Sequence, residues 1–477
     1  MTNWRWWLCS LLFVATTVNY LDRQVLSLTY EEFIKPEFHW TDANYGTITS
    51  FFSIFYAIAC LFAGKFVDWM GTKKGYLIAI FVWSLGACLH ALCGWATAHL
   101  VDGIGSVAAM KAVEVGSNAA LAISTTSVYL FLLCRGILAL GEAGNFPAAI
   151  KVTAEYFPKK DRAFSTSIFN AGASVGALAA PLCIPPLAVR FGWEMAFIII
   201  GALGFIWMFF WAFMYDKPEN SSHVNEAELE YIHQDDAEEA AEKAAIASEK
   251  AIPFGKCFGY RQTWAFITGK FFTDGVWWFF LFWAPSYFSN QFNAPATSGL
   301  GQALIFTLYA IVTVVSIGGG YLPKIFVDKK GMNPYNGRML AMLIFAFFPL
   351  CALLAQPLGM HFNTPWWPVV LIGLAAAGHQ AWSANLFSTI GDMFPKSTIA
   401  TITGIGAMAG GVGSMFVQKI AGNLFTYAET QGSAFTFLGF EGKPAGYFII
   451  FCFCGIAYLV AWTIMKCLVP QYKPIKD

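Results

Sequence analysis

The sequence predicts an all-α membrane protein that crosses the bilayer twelve times, in two bundles of six helices. The first observation is composition: 57% of the 477 residues are hydrophobic and 12% are charged, whereas ordinary soluble proteins carry about 25% charged residues. The second is the order of the apolar runs, six before and six after a long polar stretch. The third is an internal repeat. The equal numbers of Lys+Arg and Asp+Glu, 29 each, also argue against a nucleic-acid-binding protein.

Each predicted helix corresponds to an apolar run near the ~20 residues that span a bilayer. The twelve runs are 4–28, 45–69, 75–98, 125–150, 163–188, 193–215, 263–289, 299–324, 337–358, 366–390, 398–425 and 445–468. They predict an N-terminal bundle over residues 1–215, a linker over 216–262 and a C-terminal bundle over 263–477.

The positive charges predict the orientation of the chain in the membrane. With the N-terminus inside, 21 of the 29 Lys and Arg residues fall on the cytoplasmic side, four fall on the far side and four lie within helices. Cytoplasmic loops are enriched in Lys and Arg, so both termini and the linker are expected in the cytoplasm. The linker is acidic, and Asn225 followed by Glu228 predicts the start of a helix. It is either a solvated connection or a docking site for a partner.

The internal repeat relates the two halves. Asp68 and Gly71 recur 260 residues later as Asp328 and Gly331. Further along the chain, another set of residues of the first half recurs in the second half after only 237 residues. The first half therefore holds an additional segment, which corresponds to the long outer segment 99–124. Parallel repeats of six helices are typical of one large class of transporters.

Four ionisable residues lie in apolar runs of the first half, where charge is costly and usually functional. Asp22 and Arg23 lie in the first run. Arg135 and Glu142 lie in the fourth, seven residues apart and so on one face of a helix. An Arg can bind a carboxylate through two hydrogen bonds, and a nearby acid can carry a proton. The pattern indicates coupled binding of an anion and a proton, with a purely structural charge network as the alternative.

The second half carries weaker signals. Lys270 and Asp274 are four residues apart and are interpreted as a pair that reaches the cytoplasmic interface. The tenth run contains His379, Trp382, Ser383 and Asn385. Because its neighbours in this run are polar, Trp382 is expected to face a cavity. His379 is interpreted as a core histidine.

Glycine-rich stretches predict close contacts between helices. One of them, Gly172-Ala-Ser174-Val-Gly176, also matches the G-x-S-x-G pattern of serine hydrolases, with His379 as a possible base. That pattern needs a sharp strand-to-helix turn, but here it lies in a long apolar run, so an enzyme is not expected. No nucleotide-binding motif or metal-ligand cluster is present, and no cofactor is predicted other than a co-transported H⁺.

Several of these motifs resemble those of a known family. The segment Gly64-Lys-Phe-Val-Asp68-Trp-Met-Gly71-Thr-Lys73 and its repeat resemble the signature loop of the major facilitator superfamily. The segments Asn19-Tyr-Leu-Asp-Arg23 and Arg135-Gly-Ile-Leu-Ala-Leu-Gly-Glu142 resemble its anion:cation symporters. The stretches that follow Lys270 and His379 are similar to those of hexuronate transporters. The resemblance implies the major facilitator fold and a monomer in the cell inner membrane.

The resemblance also implies a function and its residues. It implies proton-coupled uptake of glucuronate or galacturonate by alternating access, with a sugar-acid anion, a proton and the lipid bilayer as the only partners. The implied substrate-binding residues are Tyr20, Arg23, Tyr56, Asn170, Trp382, Ser383 and Asn385. The implied proton-coupling residues are Asp22, Arg135 and Glu142. The implied gating residues are Gly64, Asp68, Gly71, Lys73, Asp328 and Gly331.

Three alternatives to this function stay open. The chain could transport another sugar acid such as galactonate, couple the transport of an organic anion to Na⁺, or serve as a sensor that binds without transport.

Overall fold

A computed structural model describes residues 2–248 and 252–475. Helices make up most of this part of the chain, and a helix lies at each of the twelve predicted runs, so the all-α fold is confirmed. Lys250 and Lys476, which the orientation argument counts as cytoplasmic, lie outside the described residues. The chain forms two compact units. The first holds residues 2–29, 33–39 and 58–248, and the second holds residues 30–32, 40–57 and 252–475.

The first unit contains the helices up to residue 248, apart from the beginning of α3. Its helices are α1 Trp4–Thr29, α2 Lys35–Glu37, α3 Asp42–Met70, α4 Thr72–Leu89, α5 Cys93–Leu100, α6 Val107–Lys111, α7 Asn118–Glu142, α8 Asn145–Tyr156, α9 Lys159–Phe191, α10 Trp193–Met214, α11 Glu226–Ile232 and α12 Asp236–Ser248. Helix α1 packs against α9 and α10, and α4 packs against α7 and α10.

The second unit contains residues 42–57 of α3 and the elements from residue 252 onward. Its helices are α13 Phe254–Cys257, α14 Arg261–Phe292, α15 Gly299–Lys330, α16 Pro334–Ala346, α17 Ala352–His361, α18 Trp366–Met393, α19 Ile399–Gln431 and α20 Lys443–Leu468. Helix α14 packs against α19 and α20, and α15 packs against α18. A two-stranded hairpin, β1 Thr436–Phe437 and β2 Phe440–Glu441, precedes α20 and was not expected from the sequence.

Nine helical segments of the described chain are long and apolar enough to cross a membrane. The predicted runs that fall outside these nine correspond to α1, α14 and α18. These helices carry most of the polar and ionisable residues that the sequence marks as candidate site residues. Helix α1 holds Asp22 and Arg23, α14 holds Lys270 and Asp274, and α18 holds His379. Polar and ionisable side chains therefore lower the hydropathy of the helices that bear them.

Three of the predicted helices are interrupted. The third run is α4 followed by a 3₁₀ turn, His90–Leu92, and α5. The fourth run is α7 followed by α8, with a break at residues 143–144. A Cβ atom on Gly144 would lie 2.7 Å from Cβ of Ala79, so the break occurs where α4 approaches this turn. The ninth run is α16 followed by a short 3₁₀ helix, Phe348–Cys351, and α17. Pro349 lies in that 3₁₀ turn, and a proline cannot donate the backbone hydrogen bond that an uninterrupted α-helix needs.

The additional segment 99–124 folds back onto the first unit. Its helix α6 places Lys111 Nζ 2.9 Å from Glu37 Oε2, and Trp193 Nε1 donates to the same oxygen at 3.0 Å. Met110 is fully buried, and its carbonyl oxygen lies 3.0 Å from Nε2 of His39. The segment is therefore anchored by a buried carboxylate, although its sequence alone predicts only a long outer linker.

The predicted close contacts at glycines are present within each unit. A Cβ atom on Gly176 would lie 2.5 Å from the Thr17 carbonyl oxygen, and a Cβ atom on Gly86 would lie 2.6 Å from the Leu138 amide nitrogen. Side chains at these positions would overlap the backbone of the neighbouring helix. Small residues thus allow α1 to contact α9, and α4 to contact α7, at backbone distance.

Candidate substrate and proton site

The four ionisable residues predicted in the first unit lie together in its interior. Asp22, Arg23, Arg135 and Glu142 expose at most 5% of their surface. Arg23 donates from Nε and Nη2 to a single oxygen, Oε2 of Glu142, at 3.1 and 2.8 Å. The other oxygen, Oε1, is buried and has no hydrogen-bond partner among the described residues. The pair is thus electrically neutral but leaves one carboxylate oxygen able to accept a proton.

Asp22 and Arg135 complete this cluster. Asp22 faces the indole of Trp83, and its charge interacts with those of Glu142 and Arg135. Arg135 also acts electrostatically on Glu142. The charges of the two carboxylates and the two guanidinium groups sum to zero. Adding one proton therefore gives the cluster a net positive charge. A buried positive charge favours the entry of an anion. This geometry fits the interpretation of coupled anion and proton binding, and it also satisfies the requirement of a structural network that buried charges be paired.

Tyr20 lies beside the cluster, whereas Asn170 does not join it. The Arg23 guanidinium carbon lies 5.2 Å from the centre of the Tyr20 ring. Tyr20 is partly exposed and lies next to the Arg23 side chain. Asn170 is exposed on α9. Its role in substrate binding stays a prediction, and the charge cluster of the first unit gives it no support.

In the second unit, the predicted binding residues have different environments. Tyr56 is partly exposed and packs edge-on against Trp278, with ring centres 6.0 Å apart. Ser383 is also partly exposed. Trp382 is fully buried, with no hydrogen-bond partner for Nε1 among the described residues. The expectation that Trp382 faces an open cavity is therefore wrong in this structure, because its ring packs edge-on against Tyr458, with ring centres 5.5 Å apart.

Asn385 connects two helices. Its Nδ2 donates to the carbonyl oxygens of Gly319 at 3.0 Å and Ala381 at 2.8 Å. A side-chain amide nitrogen has two N–H donors, so Asn385 has both engaged by backbone of α15 and α18. Its free capacity toward a substrate is limited to the amide oxygen.

Lys270 and Asp274 are buried rather than interfacial. Lys270 Nζ lies 2.6 Å from Asp274 Oδ2, and the side chains are 7% and 13% exposed. Lys270 Nζ also lies over the ring of Phe387, 4.5 Å from its centre. The interpretation of a pair that reaches the cytoplasmic interface is wrong, because the ammonium group turns to Asp274 instead of extending into water.

The predicted gating residues of the first unit form ion pairs. Lys151 Nζ lies 2.8 Å from Asp68 Oδ1, and Lys73 Nζ lies 2.8 Å from Asp216 Oδ1. Gly71, which separates α3 from α4, has φ +78°, a conformation that glycine adopts without strain. Gly64 has open space around it.

The repeated loop of the second unit shares only part of this arrangement. Gly331 ends α15 with φ +63° and ψ +23°, so it shares the positive φ of Gly71 but not its ψ of +156°. Asp328 is exposed and makes no ion pair with the described residues. The ion pair near this loop is instead the partly exposed pair of Arg338 with Asp392, joined at 2.7 Å. The two loops thus share a glycine with positive φ, but they differ in the ψ of that glycine and in the ion pair at the repeated aspartate.

The acidic linker holds the N-terminus of α1. Glu228 is fully buried, and its carboxylate accepts hydrogen bonds from Thr2 Oγ1, from the backbone amides of Trp4 and Arg5 and from Arg5 Nη1. The predicted helix is confirmed as α11, with the Asn225 side chain accepting from the amide of Glu228. This part of the linker is therefore packed against the first unit rather than solvated.

Ser174 lies in the interior of α9. A hydrolase serine in this pattern sits on a sharp turn after a strand, and no such turn exists here. The serine-hydrolase alternative has no structural support.

Two residues of these sites were not identified from the sequence. Trp83 faces Asp22, and the hydroxyl of Tyr458 lies 2.8 Å from His379 Nδ1. Both are aromatic residues within apolar runs, where nothing distinguishes a site residue from a core residue.

Comparison with known proteins assigns the family. Residues 12–417 match the family model described as Major Facilitator Superfamily. The chain therefore belongs to this superfamily of membrane transporters, and it is a transporter rather than an enzyme.

The chain is also similar to individual transporters and to a solved structure. The hexuronate transporter of Escherichia coli K12 is 27% identical over 97% of this chain and 94% of its own length. A probable galactarate/D-glucarate transporter of the same organism is 25% identical over 91% of each chain. Among solved structures, a bacterial homologue of the human lysosomal transporter Spinster superposes with a TM-score of 0.67 at 17% identity, covering 99% of both chains. The structural match supports the major facilitator fold.

Proposed function

We propose that this protein imports hexuronates such as glucuronate and galacturonate together with protons. The observation that carries the proposal is the buried Arg23–Glu142 pair with Asp22 beside it. An arginine in a membrane interior is costly, and a guanidinium group is well suited to a carboxylate. The relatives named above are transporters of sugar acids, and a sugar acid presents such a carboxylate.

The order of events follows from the charges. In the resting site Glu142 occupies two donors of Arg23. A proton that enters from outside neutralises Glu142 or Asp22. The electrostatic attraction between these acids and the Arg23 guanidinium group then becomes weaker. Arg23 then binds the substrate carboxylate, and Tyr20, next to it, donates a hydrogen bond to a sugar hydroxyl. Loss of the proton to the cytoplasm restores the Arg23–Glu142 pair and releases the substrate. Arg135 adjusts the affinity of both acids for the proton.

The remaining assignments belong to the same proposal. Tyr56, Trp382, Ser383, Asn385 and Asn170 contact the ring and hydroxyls of the sugar at some stage of the cycle. The loops at Asp68 and Asp328 stabilise one conformation of the transporter. The protein works as a monomer in the inner membrane with both termini in the cytoplasm.

One relative favours a second candidate substrate. The transporter that is 25% identical over 91% of this chain carries the name of galactarate and D-glucarate. These sugar acids have a carboxylate at each end, so competition between galactarate and galacturonate distinguishes the two substrate classes.

Uptake of labelled galacturonate into proteoliposomes under an inward proton gradient tests the function. We expect accumulation that an uncoupler abolishes. Glu142→Gln should lose accumulation but keep exchange of external for internal galacturonate, because exchange requires substrate binding and no net proton movement. Glu230→Gln, which removes an exposed acid of the linker, serves as the control.

Accumulation by Glu142→Gln at the rate of the unchanged protein would refute the coupling role. Uptake that depends on Na⁺ would favour the Na⁺-coupled alternative, and binding without uptake would favour a sensor.

A further inference from the structure

We propose that the Lys270–Asp274 pair of the second unit is an additional proton-binding site of the transport cycle. The inference rests on the proposed function, and it adds a proton acceptor in the half of the chain where the family resemblance implied none. Lys270 and Asp274 are one turn apart in α14, and their charged atoms are 2.6 Å apart. Both side chains are almost fully enclosed by the unit.

The carboxylate of Asp274 has an unused oxygen. Oδ2 faces Lys270, but Oδ1 is buried and has no hydrogen-bond partner among the residues of known placement. A buried carboxylate is normally stabilised through both oxygens. Glu142 in the first unit shows the same arrangement, with Oε2 bound to Arg23 and Oε1 unpaired. Among the described residues, each unit thus contains a pair in which cation and carboxylate are both buried and one carboxylate oxygen is available to a proton.

The packing around Asp274 keeps other charges away. Helix α19 presents Gly410, where an added Cβ atom would overlap Oδ2 of Asp274. The part of α19 from residue 399 to 418 contains no acidic or basic side chain. The titratable groups near the pair are Tyr458 of α20 and His379 of α18. Tyr458 donates to the carbonyl oxygen of Thr273 at 3.3 Å, and its hydroxyl lies 2.8 Å from His379 Nδ1.

A structural role explains this pair poorly. Well-packed apolar residues are often as stabilising as a buried ion pair, and ionisable residues in membrane helices usually mark ion or substrate pathways. While Asp274 is ionised, its negative charge cancels the positive charge of Lys270. When a proton binds Oδ1, the pair acquires one positive charge from Lys270, which the negative charge of an incoming sugar acid compensates. The proton leaves with the substrate on the cytoplasmic side, and the pair re-forms.

The number of protons carried with each substrate tests this inference. Proteoliposomes with a fixed galacturonate gradient are brought to the membrane potential at which net flux is zero, and the proton-to-substrate ratio follows from that potential. We expect Asp274→Asn to lower the ratio by one. The double variant Lys270→Gln/Asp274→Asn should give the same ratio while leaving no unpaired lysine, which protects the test against misfolding of the single variant. Asp392→Asn, which breaks the partly exposed Arg338–Asp392 pair of the same unit, should keep the original ratio.

The outcomes separate this inference from the proposed function. An unchanged ratio in both Asp274 variants overturns the inference and leaves proton-coupled transport standing. Absence of proton coupling in the unchanged protein overturns both. Where a variant does not transport, the protons taken up on galacturonate binding are counted with an indicator dye in weakly buffered detergent solution, and Asp274→Asn should take up one fewer. Folded variants that no longer bind galacturonate would place the pair in substrate binding and would also overturn the proposal.

Discussion

At the scale of single residues, this transporter contains carboxylates that are enclosed and paired with specific donors. Glu142, Asp274 and Glu228 are all acids that a membrane protein could not leave unpaired at low cost. Glu142 and Asp274 have one oxygen paired and one unpaired, whereas Glu228 receives hydrogen bonds on both oxygens. An acid with a free oxygen can bind a proton without losing its partner, while a fully bonded acid is suited to hold segments together.

Glu228 gives a prediction about stability. Its burial acts to raise its pKa, but hydrogen bonds from Thr2 and from the amides of Arg5 and Trp4, together with the Arg5 charge, outweigh burial and lower the pKa of Glu228 below 4.5. Glu228→Gln should lower the free energy of unfolding by roughly 1–3 kcal/mol at pH 7, since it weakens hydrogen bonds to a charged group. Thermal unfolding in detergent measures the effect.

The pH dependence of that effect follows from the sign of the pKa shift. Because the pKa of Glu228 is lower in the folded chain, the carboxylate stabilises the fold fully above pH 4.5 and loses this contribution as the pH falls through the folded-state pKa. The difference in melting temperature between Glu228→Gln and the unchanged protein should therefore narrow at low pH. Glu230→Gln, at an exposed position of the same helix, should show no difference at any pH. A difference for Glu228→Gln that is constant with pH would contradict this assignment.

At the scale of helices, small residues determine how closely the site helices pack. Gly176 of α9 lies against α1, where a Cβ atom would be 2.5 Å from the Thr17 carbonyl oxygen and 2.9 Å from Cβ of Tyr20. The position of Tyr20, next to Arg23, is thus linked directly to the backbone of α9. A change in this contact affects the candidate site without touching a charged residue.

Gly176→Ala is predicted to weaken galacturonate binding and to destabilise the first unit. The added methyl group must displace α1 or Tyr20, and such overpacking typically costs about 1–3 kcal/mol. Binding affinity and melting temperature in detergent measure both effects. Gly318→Ala is the matched control, since Gly318 lies within helix α15 with no atom near its Cβ position. It should leave binding unchanged and should not lower the melting temperature, because a helix interior favours Ala over Gly. Equal behaviour of the two variants would show that the α1–α9 contact has no influence on the site.

The helices and their order could be predicted from the sequence better than the depth of their charges. Asp22, Arg23 and Glu142 stand out because they interrupt apolar runs. Lys270 and Asp274 interrupt one too, but a spacing of four residues is the same for a pair at a helix end and for a pair enclosed by neighbouring helices. Burial is decided by residues far away in sequence, such as Gly410 and Phe387. The partners Trp83 and Tyr458 could not be predicted, because aromatic residues occur throughout these helices.

At the scale of the whole molecule, the distribution of charge predicts the topology. The acidic linker and both termini are expected in the cytoplasm, and the segment 99–124 outside. Ser106 and Glu230 are exposed residues in these two regions. A cysteine at position 106 should react with a membrane-impermeant maleimide in intact cells, and a cysteine at position 230 should react only after the membrane is permeabilised.

This labelling requires a background without reactive thiols. Cys183 and Cys467 are the exposed cysteines among the described residues and must first be replaced by serine. The variant with only these two replacements is the control and should not be labelled. Reaction at position 230 in intact cells would reverse the predicted orientation.

The Arg23–Glu142 pair has a consequence for the biogenesis of the protein. Arg23 is synthesised 119 residues before its partner, and its helix is not among the segments apolar enough to cross a membrane by their own composition. A charged residue near the centre of a helix opposes insertion into lipid. We therefore expect α1 to settle stably in the bilayer only after α7 has been made and supplies Glu142. The residues proposed to serve transport would thus also delay the assembly of the first bundle, and the insertion machinery would have to retain α1 while more than a hundred further residues are translated.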